Sequence, residues 1–399
     1  MIGFPETVSL RARFAPLMLT PMLVLAIALW PGGSFAAMLS AQSNGGGASP
    51  AWAGNDDMLL FYEALVRIQE QSIQEDGPRE IVRKAIRGYL RQVDDFSDYL
   101  SPEEYASWRG VRQGGYAGVG MDIFTDRAGR MICLPYPDGP AAQAGIRYGD
   151  ELTFVGREAV QGVSVRVVGS WVRGRVGESV SLVVRREDGS VQSLSLARRE
   201  MKLNELVVER DGPFPRLRIY SFGPETAGRL RQALAGLPAG TPRIIDLRGN
   251  TGGDLYAAID AAALFLPAGA AIVDVRTRKE TKHFAAREPA ADRSPVVIWQ
   301  DGLTASAAEV FVAALVENGR AASVGRTTYG KGVTQTVIEL SDGSALFVTN
   351  GALRTPKGQY YHRHGLKPGR EPASSGGSAE GVLADTVPLW NATLEMLGK

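Results

Sequence analysis

The chain has 399 residues, 44 of them basic and 43 acidic, with 44% hydrophobic content and a formal net charge of +1. Such a length and apolar fraction suffice for two or three modest cores. The balanced charge excludes the strongly basic domain that nucleic-acid binding calls for, so nucleic acid is not expected as a partner. The single cysteine, Cys133, rules out an internal disulfide and reads as a small buried hydrophobe in the strand-like run RMICLPY.

In chain order, arginines 11 and 13 precede an uncharged stretch from Phe14 to Trp30, and small residues then offer a cut after Ala36 or Ala41. Residues 1–41 therefore read as an export signal, and the protein is expected to be periplasmic or otherwise extracytoplasmic. The uncharged stretch is at the lower limit for spanning a bilayer and contains Pro16 and Pro21, so an uncleaved anchor associating with the inner membrane is the second reading. A glycine- and serine-rich linker, 42–55, follows. Residues 56–92 carry apolar positions at helical spacing in two segments broken by EDGP, which predicts two helices within an N-terminal helical region, 56–112.

The pattern changes near residue 113. Short β-patterned runs fill 113–199, interrupted by GPAAQAG, a short helix with Gly145 at its C-cap. These residues read as one small β-rich domain. Strand and helix patterns then alternate over 200–370, and residues 371–399 form a glycine-rich linker and a final helix.

Ser306 lies where the apolar strand pattern VVIWQ passes through a small-residue turn into a helix pattern. In TASAAEV it forms S-x-x-E with Glu309, which is also the signature of a helix capping box. A serine at such a junction is nonetheless exposed for attack, and the free N–H groups of the helix start can hold an oxyanion, with the Ala307 N–H as the candidate donor. A second glycine turn, RIIDLRGNTGG, ends another strand pattern, and Gly252 and Gly253 permit close main-chain approach to a ligand. The three histidines, His283, His362 and His364, are all remote from Ser306 in sequence, so the base is sought elsewhere. Lys331 stands between two glycines ahead of an alternating strand. An unburied lysine titrates near ~10.4, and bringing it to ~7–8 costs the charged form ~4 kcal/mol, which burial in an apolar site can supply. Gln335, four residues on, offers an amide oxygen that could hold the lysine without the opposing effect of a carboxylate.

Two rival chemistries are weighed at the same place. GRTTYGKG matches a phosphate-binding loop up to Gly332, where Ser or Thr is required, but VTQTVIEL continues as a β-branched strand rather than a helix. His362 and His364 in YYHRHG would share one face of a strand, yet no third ligand accompanies them, so no metal is expected.

The ordered motifs DDFSDYLSPEEY, GYAGVGMDI, DGPAAQAGIRYGDELTFVGREAVQG, IIDLRGNTGG, TASAAEV and RTTYGKGVTQ resemble the carboxy-terminal processing (tail-specific) serine proteases. The resemblance implies a mixed α/β (α+β) protease core of crotonase-like type with an inserted PDZ domain at 113–199. It implies Ser306 as nucleophile, Lys331 as base and Gln335 as assistant, with oxyanion donors at Ala307 and around Gly252. It further implies a peptide-binding edge beginning at Gly118, Val119, Gly120 and Met121, where Val119 and Met121 alternate so as to form one wall of an apolar pocket. Substrates are then proteins or peptides with apolar free C-termini, and no cofactor is called for. The rival from another class is a non-catalytic PDZ scaffold that keeps the protease fold; a homo-oligomer stays open under either.

Overall fold

The computed structural model describes residues 55–112, 116–201, 205–372 and 386–398. The expected signal and most of the first linker lie outside the described residues. Helix α1, Asn55–Gln71, carries Asp56 and Asp57 in its first turn, where carboxylates favour the helix dipole. It belongs to a unit that ends at Asp76; a second unit, from Gly77, holds all that follows.

The second unit starts with α2, Pro78–Val93, whose proline occupies the helix start where no N–H is needed. Strand β1, Asp98–Leu100, leads into α3, Pro102–Arg112. Here the Ser101 N–H donates to Glu104 Oε2 at 2.7 Å and the Glu104 N–H to Ser101 Oγ at 3.3 Å, a reciprocal cap. A two-stranded neck, β2 (Tyr116–Gly118) against β9 (Arg199–Met201), frames the β-rich domain.

Within that domain are β3 (Met121–Thr125), β4 (Met131–Pro135), β5 (Glu151–Val155), β6 (Glu158–Ala159), β7 (Ser179–Arg185) and β8 (Val191–Ala197). They form one sheet in the order β3-β4-β5-β7-β8, with β6 on β5. In β7 the residues Val180, Leu182 and Val184 turn inward, as a two-residue period dictates. Helix α4, Pro140–Gln143, stops ahead of Gly145, whose φ of +86° ends the turn. Helix α5, Val165–Val172, is capped by Ser164 Oγ accepting from Val167 N. Cys133 is fully buried in this core, and burial raises its thiol.

The larger core is built on β10 (Leu206–Glu209), β11 (Arg216–Ile219), β12 (Arg243–Asp246), β15 (Val296–Gln300) and β16 (Ala321–Gly325), in the order β10-β11-β12-β15-β16. The last four are parallel. Every residue of β12 and β15 is buried, as central strands covered on both faces require. Ile245 and Ile298 face a cluster with α6 (Thr226–Ala235), α7 (Leu255–Ala263) and α8 (Ala307–Glu317). Ile244 and Val297 face the opposite way, against Leu389 and Trp390 of α9, Val387–Met396. A second sheet joins β1 with β13 (Ala271–Thr277), β14 (Thr281–Ala285), β17 (Val333–Glu339) and β18 (Ala345–Arg354), in the order β1-β18-β13-β14 with β17 on β18. The chain is thus a mixed α/β protein in which two parallel strands, β12 and β15, deliver their C-terminal loops side by side.

Candidate active site

Those two loops come together through a main-chain hydrogen bond and the Asp301 carboxylate. The Ala305 N–H donates to Asn250 O at 2.9 Å, and Asp301 Oδ1 accepts from Gly249 N at 3.1 Å as well as from Leu303 N and Thr304 N at 3.0 and 2.9 Å. Beneath them Asp246, at the end of β12, is fully buried. Burial alone would raise its carboxyl, but Arg248, Arg218 and Arg216 hold it down at about 2. The floor of the site, at the end of β12, therefore carries buried ion pairs from Arg216 and Arg248 to Asp246.

On this floor Ser306 adopts φ +56° and ψ −120°, a conformation that non-glycine residues rarely take and that its surroundings must hold. Ala307 follows as the first residue of α8, so its N–H is one that the helix itself leaves without a partner. Gly252 lies directly against both. A Cβ built on it would stand 2.8 Å from Ser306 Cβ and 3.1 Å from Ala307 N, and its φ is +109°. The two oxyanion candidates are thus neighbours, with one refinement: the Gly252 N–H donates to Asn250 Oδ1 at 2.9 Å. In this state Ala307 supplies the open donor, while Gly252 supplies clearance.

The loop that carries Lys331, the candidate base, is brought to the same point by a residue whose sequence signal is that of a helix cap. Glu309, fully buried in the first turn of α8, accepts from Ser306 N at 2.9 Å and from Lys331 N at 2.8 Å on Oε2. Its Oε1 accepts from Gly330 N at 2.7 Å and from the Thr328 hydroxyl at 2.5 Å. One carboxylate therefore fixes the main chain of both Ser306 and Lys331. Burial pushes this carboxyl upward, against hydrogen bonds from Thr328, Lys331, Ser306 and Gly330.

Lys331 is lowered to about 8, first by burial and then by the Arg166 guanidinium of α5, with Glu309 acting the other way. Its Nζ lies 5.1 Å from the centroid of Phe96 in the DDFSD segment. That segment is pinned by Asp94, which accepts from Phe96 N and Ser97 N at 2.7 Å each, and Arg166 donates to Phe96 O at 3.3 Å. Neither Phe96 nor Arg166 carried a signal of this role in the sequence, because both reach the lysine from distant segments.

Other expected residues fall differently. Gln335 sits on β17 beside a bulge in its pairing with β18, and its Nε2 is buried with no acceptor among the described residues. Among the described residues no hydrogen bond joins it to Lys331. His362 and His364 lie in a turn rather than on a strand, because Arg363 takes φ +64° and Gly365 φ +76°. The His362 ring packs 5.7 Å from Phe96 and His364 Nδ1 approaches His362 O at 2.8 Å. The turn backs the base loop, with Arg363 N donating to Gly330 O at 2.7 Å.

In the β-rich domain, Gly118 ends β2 and Gly120, at φ +69°, turns the chain into β3. Val119 and Met121 are 1% and 7% exposed and belong to the domain core, so their side chains do not wall an open pocket. What Gly118, Val119, Gly120 and Met121 offer a ligand is main chain. β3 is the terminal strand of its sheet, with one flank unpaired by any described strand.

Comparison with known proteins gives consistent relatives. The model of peptidase family S41 matches residues 216–371, and that of the PDZ domain matches residues 131–186. The chain is 30% identical over 328 residues to the carboxy-terminal processing protease CtpA of Bacillus subtilis (strain 168), covering 81% of this chain and 70% of that protein. It is 28% identical over 327 residues to a probable CtpA-like serine protease of Staphylococcus saprophyticus, covering 80% of this chain and 66% of that one. Among solved structures it is similar to a photosystem II D1 C-terminal processing protease, with a TM-score of 0.64 and 26% identity over 79% of this chain and 92% of the other.

Proposed function

The chain belongs to peptidase family S41 and is a serine-type carboxy-terminal processing peptidase with a PDZ domain, and on that premise we propose that Ser306 and Lys331 are its catalytic pair. The observation that carries this is the Glu309 carboxylate, which accepts the N–H of Ser306 and the N–H of Lys331 on one oxygen. Lys331, lowered to about 8, is neutral in a useful fraction of molecules at mildly alkaline pH. Its Nζ takes the Ser306 proton as Oγ bonds to the scissile carbonyl carbon. The Ala307 N–H receives the carbonyl oxygen as it becomes an oxyanion. The C–N bond then breaks, the ammonium returns its proton to the leaving amine, and water attacks the acyl-enzyme with Lys331 again as base. Gln335, four residues on, assists by accepting a hydrogen bond from Lys331 on its amide oxygen; its Nε2 has no partner among the described residues, so the amide is not committed elsewhere through that atom.

Substrates, on this reading, are exported proteins whose flexible apolar tails add as a strand to the free flank of β3, with the terminal carboxylate at the Gly118–Met121 main chain. Export rests on the sequence before residue 56, with attachment to a membrane by an uncleaved N-terminal segment as the second reading. Self-association rests on α1, where Leu59, Leu60, Phe61 and Tyr62 are exposed by half or more. The core is read as crotonase-like on its successive strand-to-helix units. The test is cleavage of a peptide with an apolar free C-terminus by the wild type beside Ser306→Ala. Cleavage lost in the variant with its circular dichroism unchanged supports the pair, and equal turnover refutes it.

A further inference from the structure

The unpaired flank of β3 ends against the active-site loops. At the C-terminal end of the strand, Phe124 meets Tyr329 edge to face, with ring centroids 4.6 Å apart and planes at 77°. Just beyond it, Arg127 donates from Nη2 to the main-chain oxygens of Thr328 and Tyr329 at 3.2 and 2.9 Å. Tyr329 is in turn tied to the nucleophile's loop, since its N–H donates to Thr304 O at 3.0 Å. Gly330 and Lys331 follow immediately and hang on Glu309. The far end of β3 therefore abuts the loop that carries Lys331, and that loop is bonded in turn to the one that carries Ser306.

We infer that β3 and Ser306 together act as a ruler, which places the cut at a set number of residues from the substrate's carboxylate rather than at a set sequence. This rests on the proposed roles of Ser306 and of the β3 flank. A tail whose carboxylate is held at the N-terminal end of β3 runs antiparallel to the strand. Matching its five residues, Met121–Thr125, uses five residues of tail, ~17 Å at ~3.4 Å per residue. Passing from Phe124 over Tyr329 to Ser306 takes roughly 10–15 Å more, or about three to four extended residues. The scissile bond then falls about eight to nine residues from the end. Phe124 and Arg127 are the positioning residues of this ruler, because they fix where the strand's end sits on the base loop.

The experiment uses the full chain and peptides with a uniform repeating body, so that every bond in the body is chemically equivalent, and an apolar free C-terminus. Mass spectrometry reads the length of the released C-terminal fragment. The expected result is one narrow length, about eight to nine residues, that stays constant as the body is lengthened. In a second series a preferred bond is fixed in the body and residues are inserted between it and the carboxylate. The ruler requires the cut to leave that bond and keep its distance from the end. A fragment that grows one residue per insertion, or a main product shorter than β3 itself, overturns the ruler while leaving the peptidase intact. Absence of cleavage of every peptide overturns the peptidase reading and the ruler with it. Phe124→Ala and Arg127→Ala are expected to widen the distribution of fragment lengths; a distribution as narrow as the wild type's removes these residues from the device.

Discussion

The side-chain nitrogen of Lys331 stands over the face of the Phe96 ring, 5.1 Å from its centroid. A base must be neutral before the reaction and becomes a cation when it takes the serine proton, so a ring face favours the state formed during catalysis. Phe96→Leu keeps the burial and removes the π face. The acid limb of kcat/KM is expected to move down by roughly half a pH unit or more, with a several-fold lower plateau, while Phe96→Tyr leaves the limb in place. A pH profile with an unmoved limb in Phe96→Leu would show that the ring only fills space.

The wild-type profile itself follows from the lowered Lys331. Activity is expected to rise through a midpoint of about pH 8, because the base works only without its proton. Lys331→Arg is expected to be inactive at all pH values, since arginine stays charged. The same lowering is a stability statement. Below about 8 the lysine is charged both folded and unfolded, and the folded chain bears the full cost of the buried cation; that cost fades as pH rises towards 10.5, where the unfolded chain loses its proton too. Lys331→Met, which has no charge to bury, is therefore expected to unfold with a free energy about 1–3 kcal/mol higher at pH 7, with a smaller gain near pH 10. Denaturant melts at the two pH values measure it, and equal gains at both would contradict the assignment.

Glu309→Gln tests the link between nucleophile and base. The carboxylate accepts from three main-chain N–H groups and one hydroxyl, whereas an amide turns one of its two ends into a donor. In either orientation an N–H of Ser306, Gly330 or Lys331 then faces another N–H, at a cost of about 1–3 kcal/mol. A loss of about 10- to 100-fold is expected, carried by kcat rather than KM. Because Glu309 favours the charged lysine, its neutralisation should also move the acid limb downward. Full activity with an unmoved limb would reduce Glu309 to the capping residue its S-x-x-E spacing suggests.

That spacing shows where the sequence was readable and where it stopped. Strand β15 and the turn into α8 follow from a run of apolar residues ending in small ones, so the position of Ser306 is local information. The glycines either side of Lys331 likewise mark a tight loop before β17. Glu309 looked like a cap because its local partner is Ser306, while its partners on the base loop lie 21 and 22 positions downstream. Phe96 and Arg166 are further still from Lys331, and Arg166 comes from the PDZ domain; only the packing of α5 against the DDFSD segment reveals them. Val119 and Met121 alternate as a pocket wall would, but alternation does not say which face is inside, and the structure turns both into the core.

Gly252 carries the last prediction, since its role is defined by what it lacks. A methyl group at this position would meet Ser306 Cβ at 2.8 Å and Ala305 O at 2.9 Å, and the backbone at φ +109° is one that L side chains rarely adopt. The neighbours cannot yield easily, because Ala305 N is held by Asn250 O and Ser306 N by Glu309. Gly252→Ala is therefore expected to displace the nucleophile and the Ala307 N–H together, lowering kcat by roughly two orders of magnitude or more, at a stability cost of about 1–3 kcal/mol. The equivalent change at Gly240, also at positive φ but with nothing within 4 Å of the added Cβ, should bring only the conformational cost and leave kcat alone. Measuring kcat and the unfolding midpoint for both separates crowding from backbone strain. A Gly252→Ala enzyme as active as Gly240→Ala would mean that the oxyanion is held elsewhere.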